Sequence, residues 1–257
     1  YPTIFPQALR SVDFVNDNEG WIVGDGGFTA RTMDGGTTWQ TVTLPGGATT
    51  RLYSISTPMQ GRAWATGQAN KIYHYSGGNW IQVYSDVSPQ IFWSILSLDD
   101  RQILAAGTNG EVIKSADGGS TWQNTTLPGA SGSTVYSLAS LDGKTIWAAG
   151  GNGKLWRSVD EGQLWSVITS GTTQQITQLR VLSPSELWYG AVNGLGHSTN
   201  ADSGNPIFSL DNAVISVIPT FKSFAFTTGA EIIAVGDNAL GTYSLCHPLN
   251  CSSNVTD

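Results

Sequence analysis

Catalysis needs titratable side chains that converge, and this chain carries few of them. Its three histidines, His74, His197 and His247, match no metal-ligand spacing and read as loop or turn residues. One pair of carboxylates qualifies as a catalytic candidate. Asp25 and Asp237 each follow an equivalent glycine, Gly24 and Gly236. Two acids across a channel mouth could serve as acid and base for glycoside hydrolysis. The glycine-rich stretches 24–27 and 150–153 precede strands, not helices, and lack the lysine of a phosphate loop. No metal or cofactor set is read.

Recognition is the other chemistry on offer. A four-residue pattern recurs six times: Leu9-Arg10-Ser11-Val12, Leu52-Tyr53-Ser54-Ile55, Phe92-Trp93-Ser94-Ile95, Val135-Tyr136-Ser137-Leu138, Ile176-Thr177-Gln178-Leu179 and Phe221-Lys222-Ser223-Phe224. Its outer positions are apolar and its third is small or polar, which suits an innermost strand where space is short. The second position would then form a ring of Arg10, Tyr53, Trp93, Tyr136, Thr177 and Lys222. Adjacent aromatics, adjacent cations and nearby turn amides such as Asn109 and Asn152 suit a sugar or an anionic peptide. The competing reading packs these side chains between neighbouring blades.

The elements that would position this ring are repeats. A strand ending in glycine, as in Trp21-Ile22-Val23-Gly24, returns with anchor glycines at 24, 67, 107, 150, 190 and 236, spaced 43, 40, 43, 40 and 46 residues apart. That period is one four-stranded propeller blade. A second motif follows it: Thr32-Met33-Asp34-Gly35-Gly36-Thr37-Thr38-Trp39, then Ser115 to Trp122 and Ser158 to Trp165. In this Asp-box the carboxylates of Asp34, Asp117 and Asp160 would accept backbone N–H groups in a hairpin, while Trp39, Trp122 and Trp165 pack between sheets. Residues 75–80 look like an eroded copy, and 202–208 like a remnant.

These signals predict an all-β chain, a six-bladed propeller of four-stranded antiparallel blades at about 8–45, 50–85, 90–126, 133–169, 174–210 and 219–245. The last blade lacks an outer strand, so residues 1–7 are expected to complete it. Residues 1–245 would form one domain and 246–257 a tail.

The Trp-x-x-Gly strand followed by an Asp-box resembles the photosystem II stability/assembly factor-like propellers and the wider sialidase-like and xyloglucanase-like superfamily. The first resemblance implies a helper that binds nascent membrane subunits. Sialidase chemistry would need three convergent arginines, and of the seven here only Arg10 and Arg51 stand near the start of an inner strand.

Composition narrows the partners. The net charge is −7 with only 12 lysines and arginines, which disfavours nucleic acid, and no apolar run is long enough to insert directly in a membrane. Cys246 and Cys251 could close a short disulfide, and sequons begin at Asn124, Asn250 and Asn254. These features predict a secreted, extracellular glycoprotein, with a trimmed leader, acting as a binding or scaffold module for a glycan or protein ligand. A carboxylate-pair hydrolase and a self-associating structural subunit are the alternatives.

Overall fold

The computed structural model describes residues 5, 7–47, 49–86, 90–192, 194–211, 221–226, 231–236 and 239–244. Sheet one contains β1 (Leu9–Phe14), β2 (Gly20–Gly24), β3 (Thr29–Thr32) and β4 (Gln40–Thr41), and sheet two β5 (Leu52–Ser56), β6 (Ala63–Gly67), β7 (Ile72–Ser76) and β8 (Asn79–Tyr84). Sheet three contains β9 (Phe92–Ser97), β10 (Ile103–Gly107), β11 (Glu111–Ser115) and β12 (Gln123–Thr126). Sheet four has β13 (Val135–Ser140), β14 (Ile146–Gly150), β15 (Lys154–Ser158) and β16 (Ser166–Thr169). Sheet five has β17 (Ile176–Val181), β18 (Leu187–Ala191), β19 (Gly194–Ser198) and β20 (Ser209–Asp211). The last sheet has three strands, β21 (Phe221–Phe226), β22 (Glu231–Gly236) and β23 (Ala239–Ser244). The chain divides into two compact units, residues 1–148 with 156–167, and residues 149–155 with 168–257.

The architecture is an all-β propeller with five four-stranded antiparallel blades, which corrects the expectation of six. Among the described residues no fourth strand joins β21–β23. Phe5, a described residue of the amino-terminal segment expected there, packs on sheet one instead. Its ring lies 5.2 Å from Phe28 and 6.3 Å from Trp39, against the cluster of Ile22, Phe28 and Ala30. Two causes favour this: Pro2 and Pro6 offer no ladder N–H, and an aromatic ring gains more from apolar burial than from an outermost edge.

The anchor glycines have a steric cause. At Gly24, Gly67 and Gly107 an added Cβ would collide with the carbonyl oxygens of Ala8, Arg51 and Ile91. The next residue donates to that same carbonyl: Asp25 to Ala8 at 2.9 Å, Gln68 to Arg51 at 3.0 Å and Thr108 to Ile91 at 3.1 Å. The backbone at Gly24 is extended, at φ −165°, so close approach rather than left-handed geometry demands the glycine.

Small polar residues on the inner strands clip neighbouring sheets together. Ser11 Oγ accepts the Ile55 N–H at 3.3 Å, Ser54 Oγ that of Ile95 at 3.2 Å, and Ser94 Oγ that of Leu138 at 3.0 Å. In the second unit Gln178 Oε1 accepts the Phe224 N–H at 2.7 Å. Lack of space is therefore half the reason for the pattern; satisfying a buried N–H is the other. Between sheets lie clusters such as Trp21, Tyr73, Tyr75 and Trp80, and Leu104, Trp156 and Trp165. Trp21, Trp64, Trp147 and Trp156 are fully buried, each contributing on the order of 3 kcal/mol by area.

Candidate functional site

A β-bulge positions each candidate recognition residue. In β1 the register jumps from Leu9↔Gly24 to Ser11↔Val23, leaving Arg10 unpaired. The same jump leaves out Tyr53, Trp93, Thr177 and Lys222. A bulged residue escapes the alternation of the ladder, so its side chain is re-aimed. Tyr136 holds the equivalent place in β13. The bulge sits where the anchor glycine brings two backbones together, so one local feature sets both.

In the first unit four of these side chains form a continuous array. The Arg10 guanidinium lies 6.0 Å from the Tyr53 ring centroid, Tyr53 4.4 Å from Trp93, and Trp93 5.7 Å from Tyr136. Arg10 is exposed and the three aromatics are half-buried. The indole N–H of Trp93 is buried and has no partner among the described residues. Such a row offers π-faces and a cation along one edge.

Asp25, in the tight turn Asp25–Gly27, accepts Arg10 Nε at 2.9 Å and Nη2 at 3.0 Å. Arg51 Nε approaches the same carboxylate at 2.8 Å. The Arg10 hydrogen bond, aided by Arg51, holds the Asp25 carboxyl below the usual carboxylate range. That direction is opposite to what a general acid requires. Arg51 carried no binding role in the sequence reading; its signal was its place directly before an inner-strand motif.

Asn109 and Asn152 occupy the middle of the equivalent turns, both at φ 58°. Gly26 holds that place in the first blade at φ 69°. Asparagine tolerates the left-handed region, so backbone geometry accounts for both residues. Asp237, His247, Cys246, Cys251, Asn250 and Asn254 lie outside the described residues, as does the side chain of Lys222. Asn124 is exposed on β12.

Each Asp-box is a closed hydrogen-bond unit. Asp34 Oδ1 accepts the Thr32 hydroxyl and the Thr38 N–H, both at 2.8 Å, while Oδ2 accepts the Thr38 hydroxyl at 2.6 Å. Trp39 Nε1 donates to the Gly36 carbonyl at 3.0 Å. Asp117 with Trp122 and Asp160 with Trp165 repeat the arrangement, at 2.9 Å from the Thr121 and Leu164 amides. These bonds lower the pKa of all three carboxyls, with the Thr38 hydroxyl the largest cause at Asp34, the Leu164 amide at Asp160, and the Thr121 hydroxyl at Asp117, which reaches about 2. The eroded copy in sheet two is a two-residue turn with Gly77 and Gly78 at φ 60° and 91°. In sheet five Asn200 takes the place of the aspartate, accepting the Ser198 hydroxyl at 3.0 Å and the Ile207 N–H at 2.9 Å. The spacing Ser198-x-Asn200 carried that signal, a few residues before the remnant read from sequence.

The two described histidines are stacked on tryptophans. His74 lies 3.9 Å from the Trp64 ring and 3.0 Å from Asp100 Oδ1; His197 lies 3.9 Å from Trp188 and 3.4 Å from Glu186. Burial pushes both imidazoles below their usual value, against the pull of Asp100 and Glu186. Each faces its own strand partner across β6–β7 or β18–β19 rather than the bulge array.

Residues 4–134 match the family described as photosynthesis system II assembly factor YCF48. The photosystem II assembly lipoprotein Ycf48 of Synechococcus sp. is 30% identical over 124 residues, 46% of this chain and 37% of that protein. The aligned part thus spans little more than a third of that relative's length. Among solved structures, YCF48 from Cyanidioschyzon merolae is similar at a TM-score of 0.69 and 18% identity, covering 93% of this chain and 81% of that one. A YCF48 bound to D1 peptide is similar at a TM-score of 0.50 and 18% identity, covering 93% and 94%. At that identity the structural likenesses bear on fold.

The expectation of a secreted, extracellular protein is overturned by these relations, because they tie the chain to photosystem II assembly factors, one of them a lipoprotein. A sequon is a three-residue pattern that chance supplies, and it is modified only where a chain enters the glycosylating compartment. With residues 4–134 matched, half of its length, the chain belongs to the photosynthesis system II assembly factor YCF48 family.

Proposed function

We propose that the chain is a non-catalytic binding or scaffold module, and that the bulge array is the platform on which it holds a protein partner during assembly of photosystem II. The observation that carries this reading is the continuous, half-exposed row of Arg10, Tyr53, Trp93 and Tyr136, with Arg51 and Asp25 at its cationic end. Supporting it, a protein of the same family has been solved with a D1 peptide bound. An extended peptide can lay rings or prolines on such a row and reach polar groups at its end. A hydrolase built on Asp25 fits less well, since two guanidiniums already engage that carboxylate.

The test is titration of the folded chain with D1-derived peptides and a saccharide panel, repeated with Trp93→Ala. Loss of the row's central ring is expected to weaken peptide binding by about tenfold or more. Peptide binding that Trp93→Ala leaves unchanged would remove the platform, and a response confined to saccharides would make the module a glycan binder.

A further inference from the structure

The cationic end of the array is unevenly matched. Two guanidiniums converge on one carboxylate: Arg10 takes both oxygens of Asp25, while Arg51 reaches one of them through Nε. The cluster therefore keeps one positive charge on a chain whose net charge is −7. It is also open: the side chains of Arg51 and Asp25 are 42% and 27% exposed, and nothing lies within 4 Å of where a Cβ of Gly26 would stand.

The turn itself does not call for an acid. Thr108 and Gly151 stand at the place of Asp25 in the turns 108–110 and 151–153, which share its geometry. The carboxylate thus serves the arginines rather than the backbone. A bidentate guanidinium–carboxylate pair is the geometry in which an arginine receives the carboxylate of a ligand. Here the seat adjoins an aromatic row, 6.0 Å from Arg10 to the Tyr53 ring.

We propose that Asp25 is an internal stand-in for a partner's carboxylate, so that the platform selects peptides carrying a carboxylate next to an aromatic or proline ring, and Asp25 competes with them for Arg10 and Arg51. This rests on the array being a peptide platform. It adds the identity of the recognised group and a built-in brake on affinity, which sets a threshold against weakly acidic sequences. The carboxylate could be an aspartate or glutamate side chain or a chain terminus; both present the same two oxygens.

The experiment uses four short synthetic peptides with a tyrosine and a proline in common. One carries an internal aspartate and blocked ends. The second replaces that aspartate with asparagine. The third has no aspartate but a free terminal carboxylate, and the fourth is its amide. Binding to the parent chain, to Asp25→Asn and to Asp25→Thr is followed by fluorescence anisotropy, with melting curves to check folding. Removing the competitor is expected to tighten binding of the carboxylate peptides by roughly three- to tenfold and to leave the neutral peptides unchanged. Arg51→Gln is expected to erase the difference between each carboxylate peptide and its neutral twin. The peptide that gains more identifies the source of the carboxylate. Carboxylate peptides that bind the parent but bind both Asp25 variants equally or more weakly would overturn the proposal, making Asp25 a positioning residue while the platform stands. Absence of binding by any of the four to any of the folded proteins would take the platform down, and the proposal with it.

Discussion

Ser94 shows how a single hydroxyl can hold two blades. Its Oγ accepts the Leu138 N–H at 3.0 Å in a buried setting, and Ser54 and Ser11 make the same bond one and two blades earlier. Ser94→Ala leaves that N–H buried without a partner, an expected loss of about 1–3 kcal/mol in urea unfolding. An unchanged midpoint would show that water or a backbone shift replaces the bond. At this scale much was legible. Glycine at 24, 67 and 107 is forced by a carbonyl pressed against its Cα, so the residue type marks the contact. The bond made by the third inner-strand position was not legible, because a serine confined by space and a serine accepting an N–H look alike in a sequence. Asn200 escaped for a related reason: it accepts the same bonds as an Asp-box carboxylate without being acidic.

The Asp-box turns invite comparison as elements, since two obey the pattern and one departs. Gly35 and Gly118 sit at φ 68° and 73°, and in the third box Glu161 holds that position at φ 62°. The left-handed region disfavours a side chain, yet the turn persists because Asp160 gathers the Gln163 and Leu164 amides at 3.1 and 2.9 Å. The Glu161 carbonyl also accepts Lys114 Nζ at 2.7 Å, a bond that needs no particular side chain, and the exposed Glu161 carboxylate stands 3.8 Å from the same ammonium, an ion pair of small worth in water. Glu161→Gly should therefore stabilise the fold by about 0.5–1 kcal/mol, the relieved strain outweighing the extra freedom of the unfolded chain. A lower melting temperature would mean that the Glu161 side chain supports the turn. Elements and their order were readable because each four-residue inner strand, anchor glycine and box recurs. The bulges were not, since the pairing partner decides which residue drops out of the ladder.

For the whole molecule, acid should lower stability in two steps. His74 and His197 have folded pKa values depressed by burial. The unfolded chain then binds more protons, so their stabilisation is complete above the unfolded value of about 6.5 and fades as pH falls through the lower folded values. Asp117, at about 2 when folded, adds stability that is complete above the unfolded value of about 3.9 and is lost as pH falls toward its folded value. Urea midpoints measured across this range should fall first below neutrality and again under strong acid. His197→Phe should flatten the first fall alone, and a first fall that survives replacement of both histidines would assign it to other groups. The count of four-stranded blades was the feature least open to sequence reading. Phe5 had two places to go, an edge beside β23 or the apolar surface of Phe28 and Trp39, and local pattern does not rank them.

The dropped residue in each inner strand has an evolutionary reach of its own. A position excluded from the ladder, and only partly enclosed, can change identity while its neighbours keep every backbone bond. Arginine, tyrosine, tryptophan and threonine already occupy it at 10, 53, 93 and 177. Descendants of such a chain could exchange one partner for another through point changes at these sites, leaving the architecture untouched, and a laboratory library confined to them would explore new specificities at little risk to folding.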